Sequence, residues 1–243
     1  TQELAMYKND PIWGLNNAIM TEMFGHSNLG VEVVGTEKSI ASVNKSNLTD
    51  AYSKNYVPAK MQFIACGDFS DNQVKTILRQ VGKLQEKYFQ AAKVELDQKE
   101  APVGEMKDIV LPVKGNSRAF GIGIRFENFK KVLSSFDLTQ ILLEIMLESK
   151  LSVMGTWFEE MRDKQILTNP LQSSVNFTRQ GDFTTIFGVS QQADKAIQEI
   201  KRELTKPVAK NSEEYHFLEK NFALQKEEWL ARTVRTMNDL SSL

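Results

Sequence analysis

Cysteine and histidine, the side chains that most often bind structural and catalytic zinc, are scarce in this chain. Its 243 residues include one cysteine and two histidines. Cys66 has no partner for an intrachain disulfide, and its place in an apolar run predicts a small buried hydrophobic residue. His26 and His216, without a pair of cysteines, do not supply the ligands of a complete zinc site.

The chain also lacks long apolar runs and an excess of charge of either sign. No segment has the length of a transmembrane helix or the pattern of a signal peptide. Thirty basic and 31 acidic residues leave a net charge of −1, which argues against a nucleic-acid partner. We expect no membrane partner and a cytoplasmic location, although a leader upstream of Thr1 would not be visible.

Motifs for common chemistries are incomplete. The segment 216–220 begins like the inverted zinc motif H-x-x-E-H, but Lys220 stands where the second histidine belongs. Gly121-Ile122-Gly123 lies inside a predicted strand and lacks the third glycine of a dinucleotide fingerprint. Composition and spacing alone therefore leave the function open.

The hydrophobic pattern predicts an α+β fold in which helices pack on one face of a sheet. A helix over residues 1–24 is interrupted at Asp10-Pro11, where Asp10 can cap the second part. Bulky and small residues alternate over 119–126, so that one face of this strand could admit another backbone. Further strands are predicted at 61–65, 109–113, 173–178 and 183–189, and the last two are joined by a hairpin-like turn at 180–182. Helix caps are also expected at Ser46 and Asn211.

A polar stretch over residues 93–106 has no apolar period and predicts a linker. It would separate residues 1–92 from a second unit over 107–243. Because the chain begins inside a predicted helix and has no initiator methionine, we expect it to be part of a longer protein.

Seven segments, in order, resemble the pitrilysin/insulinase-type zinc peptidase family. They are Gln2-Glu3-Leu4-Ala5-Met6-Tyr7, Asp10-Pro11, Trp13, residues 34–40, residues 48–56, Pro58-Ala59-Lys60-Met61 and Gly67-Asp68. The resemblance implies two structurally related domains, with residues 1–92 the C-terminal part of the first, peptidase domain. Residues 107–243 would be the second, non-catalytic domain, which they resemble in element order.

The resemblance implies a zinc-dependent endopeptidase that hydrolyses peptides. In the family, H-x-x-E-H supplies two zinc ligands and a general base, and a downstream glutamate is the third ligand. Glu3 matches that third position, whereas the H-x-x-E-H would lie upstream of this chain. We therefore expect zinc in the intact protein, and neither bound catalytic zinc nor hydrolysis in residues 1–243 alone.

Family members also carry an arginine and a tyrosine in the second domain that reach toward bound peptide. Arg162 matches the arginine, but Asn169 stands where the tyrosine would be. An arginine near the end of a helix is also favoured by the helix dipole alone. The resemblance further implies a chamber between two halves, in which peptide binds partly as an added strand.

Three interpretations stay open at the level of sequence. The first is a fragment of an active endopeptidase, with peptide as substrate. The second is a non-catalytic scaffold subunit that completes the chamber of an active partner, as a homodimer or with a sister subunit. The third is an unrelated protein-binding α+β module.

Overall fold

The computed structural model describes residues 4, 6–7, 10–25, 27–88, 118–126 and 136–237. Residues 1–35 group in space with residues 98–229, and residues 36–97 group with residues 230–243. Glu3, His26, the predicted linker 93–106 and the predicted strand 109–113 lie outside the described residues. The domain boundaries inferred from the sequence stay a prediction.

Helices dominate the described residues, together with one three-stranded sheet, and this confirms the α+β class. The helices are α1 (Pro11–Phe24), α2 (Glu37–Ala41), α3 (Lys45–Asn55), α4 (Asp71–Tyr88), α5 (Phe136–Lys150), α6 (Thr156–Asp163), α7 (Ala193–Thr205) and α8 (Glu213–Met237), with a 3₁₀ turn at Pro58–Lys60. The strands are β1 (Arg118–Phe126), β2 (Gln172–Phe177) and β3 (Asp182–Ser190).

The sheet is antiparallel, with β3 between β1 and β2. The predicted hairpin joins β2 to β3 through Gly181, whose φ of 147° suits glycine. Phe120, Ile122 and Ile186 point to one face of the sheet, where α6 and α7 cover them. This face holds the largest hydrophobic core of the described residues: Phe120, Ile122, Leu151, Phe158, Met161, Ile166, Leu167, Ile186, Ala193, Ala196 and Ile200.

The opposite side of β1 carries glycine and receives α1. A Cβ placed on Gly121 would lie 2.6 Å from Ile19 Cδ1, and one on Gly123 would lie 2.5 Å from Ile19 Cγ2 and 2.8 Å from Met23 Sδ. The predicted close approach to the small face of this strand is therefore confirmed, and its occupant is α1.

Both ends of α1 are held by specific contacts. At the start, Asp10 Oδ1 accepts hydrogen bonds from the backbone N–H groups of Ile12 and Trp13, as predicted. At the end, Arg125 Nη1 donates to the Met23 carbonyl at 2.9 Å, and the guanidinium lies 4.8 Å from the centre of the Phe24 ring. Arg125 thus joins the last turn of α1 to the end of β1.

Two helix caps differ from the expected residues. Helix α3 is capped by Asn44, which exchanges hydrogen bonds with Asn47, and not by Ser46. Helix α8 is capped by Ser212, whose Oγ accepts from Tyr215 N at 3.1 Å. Asn211 has φ 67°, and this left-handed backbone does not suit an N-cap.

The strand predicted at 61–65 is wrong for the described part of the chain. Residues 61–66 belong to no sheet that the described residues form, and their side chains are exposed. Cys66 is exposed for the same reason, which corrects its expected burial. An apolar run indicates a strand only when a neighbouring strand is present to pair with it.

Within the described ranges, no helix is both long and apolar enough to cross a bilayer.

Gly121→Ala and Gly123→Ala should each lower the free energy of unfolding by about 1–3 kcal/mol, because the added methyl group overpacks the contact with α1. Denaturant unfolding followed by circular dichroism measures the change. Gly82→Ala in α4 is the control, since its Cβ would meet no described atom within 4 Å. Alanine has a higher helix propensity than glycine, so Gly82→Ala should raise the free energy of unfolding by up to about 1 kcal/mol. Equal effects at all three glycines would contradict the packing explanation.

Candidate functional site

The described residues do not form a metal site. No group of three histidine, cysteine, aspartate or glutamate side chains comes together among them. His216 Nδ1 lies 3.8 Å from Glu219 Oε2 on the exposed surface of α8, which gives at most two donors. This donor set does not fit zinc, and Glu3 lies outside the described residues.

The residues that follow Glu3 are held in place. Leu4 is buried, and the Tyr7 ring stacks on Trp13 with centroids 5.4 Å apart. Trp13 belongs to α1, which is itself seated on β1. The chain just after Glu3 is therefore tied to a helix that is anchored at both of its ends.

Arg162 lies on the outer side of α6. Phe158 and Met161 from the same helix point into the core, and Met161 is fully buried. The Arg162 side chain is 53% exposed, and its Nη2 lies 3.5 Å from Glu159 Oε1, one turn earlier. An exposed pair of this kind contributes little to stability, so the guanidinium keeps donors available for an external acceptor.

The loop between α6 and β2 is tightly held. Backbone N–H groups of Ile166 and Leu167 both donate to the Met161 carbonyl, at 2.8 and 3.2 Å, and Leu167 is fully buried. Ser190 Oγ at the end of β3 donates to the Ile166 carbonyl at 2.6 Å. Arg162 therefore precedes a segment that several hydrogen bonds hold in place.

Asn169 lies at the far end of this loop. It is exposed, and its Nδ2 donates to Thr168 Oγ1 at 3.4 Å. A side-chain amide offers hydrogen bonds but no aromatic face, so it cannot reproduce the stacking of a tyrosine ring. The structure places Arg162 in the last turn of α6 and Asn169 in the loop that follows this helix.

A charged cluster at the junction of α5, α7 and α8 was not anticipated from the sequence. Lys150 Nζ donates to the carbonyl groups of Glu203 and Lys206, the latter at 3.0 Å, and so satisfies the C-terminal end of α7. Lys206 Nζ donates to Glu214 Oε2 at 2.6 Å. The sequence held one sign of this cluster. Glu203 follows Ala196 and Ile200 at helical spacing on the apolar face of α7, which indicates a buried carboxylate.

Glu203 is the carboxylate of this cluster whose charged form is disfavoured by burial. Burial raises its pKa above the ordinary value of 4.5, Lys150 opposes the rise, and the nearby Glu214 carboxylate adds to it. The hydrogen bond to Glu214 in turn raises the pKa of Lys206. The cluster ties three helices together around an acid that is partly disfavoured in its charged form.

Comparison with family models and curated proteins gives consistent results. Residues 42–219 match the model of the peptidase M16 inactive domain. A protein of Bacillus subtilis (strain 168) named "Uncharacterized zinc protease YmfH" is 23% identical over 206 residues, which cover 82% of this chain and 46% of YmfH. The chain thus spans about half the length of this relative.

Solved structures share the fold. An M16-like peptidase from Alicyclobacillus acidocaldarius superposes with a TM-score of 0.72 at 14% identity, over 99% of this chain and 56% of that one. A chain of Complex III2 from Candida albicans gives 0.71 at 12% identity, with the same coverage. A peptidase M16 inactive domain from Pseudomonas fluorescens gives 0.61 at 16% identity, over 91% of this chain and 56% of that chain.

The pH dependence of stability should reveal the buried acid. A raised pKa means that the folded protein holds a proton more tightly than the unfolded chain, so stability falls as pH rises from about 4.5 through the folded pKa. Glu203→Gln removes this loss and should raise the melting temperature at pH 7, with no gain below pH of about 4.5. Thermal unfolding between pH 4 and 8 measures it.

Glu160→Gln is the matched control for this substitution. The hydrogen bond from Lys164 lowers the pKa of Glu160, so this variant should lose stability at pH 7 and approach the wild type as pH falls. A Glu203→Gln variant less stable than the wild type at pH 7 would contradict the assignment.

Proposed function

Because this chain belongs to the peptidase M16 family, through its inactive domain, we propose that it is part of a longer zinc-dependent endopeptidase and cleaves nothing by itself. The family membership confirms the resemblance seen in the sequence. The observation that carries the proposal is the match of residues 42–219 to the inactive domain of this peptidase family. The relatives named as zinc proteases are also longer than this chain.

In this proposal Glu3 is the third zinc ligand of the intact protein, and the other two ligands lie upstream. The support is its place in the family motif, together with the anchoring of the residues that follow it. Bound zinc lowers the pKa of its water ligand. The contribution of this chain would be to hold the carboxylate in position: Leu4 is buried, Tyr7 stacks on Trp13, and β1 fixes α1.

Arg162 is the proposed contact to peptide substrate. Its guanidinium is exposed, it precedes a rigid loop, and it can donate two parallel hydrogen bonds to a carboxylate or to peptide carbonyl groups. The extended backbone of a peptide could add to a free sheet edge. Selectivity would then depend on the shape of the chamber more than on any single side chain.

The second candidate is a non-catalytic scaffold subunit that completes the chamber of an active partner, as a sister subunit or in a homodimer. Two observations favour it. A structural neighbour is a subunit of a complex, and Asn169 replaces the tyrosine of the family pattern. In this case the longer protein would keep the fold and the partner surface but would bind no zinc.

Glu3→Gln in the longer protein separates the two candidates. Removing a residue that only hydrogen-bonds to a metal ligand lowers metal affinity by about 10–100-fold. Removing a ligand itself should lower zinc affinity by at least that factor. Zinc content by mass spectrometry and hydrolysis of an unstructured peptide are measured together. Wild-type protein without zinc and without hydrolysis would support the scaffold, whereas full zinc content in the Glu3→Gln variant would refute the ligand assignment.

Arg162→Gln should reduce kcat/KM for peptide hydrolysis by the longer protein by roughly 10–100-fold, the equivalent of a charge-assisted hydrogen bond of about 1.5–3 kcal/mol. The control is Arg202→Gln, because Arg202 makes the same kind of pair with Glu199 one turn earlier on α7. Both variants should keep the melting temperature of the wild type. Equal kinetics for the two variants would remove Arg162 from the peptide site.

A further inference from the structure

The turn between β2 and β3 contacts the chain that follows α1. Gln180, in this turn, accepts a hydrogen bond through its side-chain Oε1 from the backbone N–H of Leu29 at 3.1 Å, although the two residues lie 151 positions apart in the sequence. Gln180 is only 7% exposed. Turns normally lie on the surface, so a glutamine that is buried in one indicates a specific contact.

The backbone from which Gln180 projects is held by contacts within the turn. Thr178 Oγ1 accepts from the Gln180 N–H at 3.2 Å and donates to the Gly181 carbonyl at 2.6 Å. The Thr178 N–H in turn donates to Asp182 Oδ1 at 3.2 Å. These bonds fix the shape of the turn, and therefore the direction in which the Gln180 side chain leaves it.

The other partner, Leu29, belongs to a segment that folds back on the last turn of α1. A Cβ placed on Gly30 would lie 2.0 Å from the Gly25 carbonyl oxygen, so only glycine permits this approach. Thr21 Oγ1, from α1, donates to the Gly30 carbonyl at 3.0 Å. Leu29 itself packs against the small apolar cluster of Met23, Phe24 and Phe183. A bond to the Leu29 N–H is therefore a bond to the end of α1.

Hydrogen bonds and apolar packing restrain α1 in different ways. The contact of α1 with the glycine positions of β1 is apolar, and apolar attraction has no direction. Hydrogen bonds restrict both distance and angle. Gln180 accepts from an N–H just beyond α1, and Arg125 donates to the Met23 carbonyl at 2.9 Å. This pair of bonds fixes α1 along its own axis.

A helix transmits such a restraint to its other end. Helix α1 has 14 residues, which corresponds to a length of about 21 Å. An axial shift at its last turn therefore moves its first turn as well, where Asp10 caps the helix and the Trp13 ring stacks on Tyr7. A metal-binding constellation requires its groups to be held within about 0.5 Å.

We propose that Gln180 is a positioning residue for the zinc ligand of the intact protein. Through Leu29 it sets the axial position of α1, and through α1 it sets the position of the segment that carries Glu3. Gln180 acts through the backbone alone and contacts neither metal nor substrate. The inference rests on the proposed function, because it takes Glu3 as the ligand.

The first test measures the contact itself in the 1–243 chain. Gln180→Met keeps the length of the side chain and removes the acceptor, whereas Gln180→Glu keeps an acceptor. Amide exchange of Leu29, followed by nuclear magnetic resonance, should be at least about 10-fold faster in Gln180→Met and close to the wild type in Gln180→Glu. Gln140→Met is the matched control, because Gln140 Nε2 donates to the Val175 carbonyl at 3.2 Å and links α5 to β2 instead.

The second test measures zinc affinity in the longer protein, by competition with a chelator. Gln180→Met should weaken zinc binding by about 10-fold, the lower end of the effect of residues that act through a metal ligand. Gln180→Glu should recover most of this loss. Gln140→Met should lower the melting temperature to a similar extent and leave zinc affinity unchanged, which separates positioning from a purely structural role.

Two results would overturn the inference while leaving the proposed function intact. One is unchanged exchange of Leu29 in Gln180→Met. The other is wild-type zinc affinity in that variant, or an equal loss of affinity in Gln140→Met. A longer wild-type protein that binds no zinc would instead refute the proposed function, and the role of Gln180 with it.

Discussion

The missing side chains of Gly121 and Gly123 set the distance between α1 and the sheet. On one face of β1, large apolar side chains fill the core beneath α6 and α7. On the other face, the glycines leave room for the side chains of Ile19 and Met23. Arg125 then joins the Met23 carbonyl, in the last turn of α1, to the same strand. The position of α1, and of the short segment before it, depends on this contact.

That dependence links the two features of functional interest. The segment that follows Glu3 is anchored through Trp13 to α1. Helix α1 is anchored to a strand whose opposite face packs on the helix that carries Arg162. A displacement of β1 would therefore move both regions. Under the proposed roles of Glu3 and Arg162, this shared anchoring would keep the metal ligand and the peptide contact in a constant relation.

Residues 36–88 differ from the residues around the sheet in how few of their side chains are buried. They have well-capped helices but almost no buried side chains, so their local hydrogen bonds are satisfied and their apolar faces are not. Local capping can specify where a helix begins, but stability requires a packed face. The chain matches the M16 inactive domain and spans about half the length of YmfH.

Much of the fold was predictable because its signals are local. Alternation over β1, the Asp10-Pro11 cap and the turn at Gly181 each depend on a few neighbouring residues, and all three were confirmed. The family motif around Glu3 was likewise visible in the chain. Whether Glu3 binds zinc is not decided by this motif, because no complete H-x-x-E-H occurs in these residues.

Other features depend on contacts between distant parts of the chain, which no local pattern encodes. The 61–65 run has the composition of a strand, but pairing needs a neighbour that the described residues do not contain. Glu203 is buried because α5 and α8 close around the end of α7, and α1 was the unforeseen occupant of the glycine face. Periodicity specifies which face of an element is apolar, whereas the partner that covers this face is specified only by packing in three dimensions.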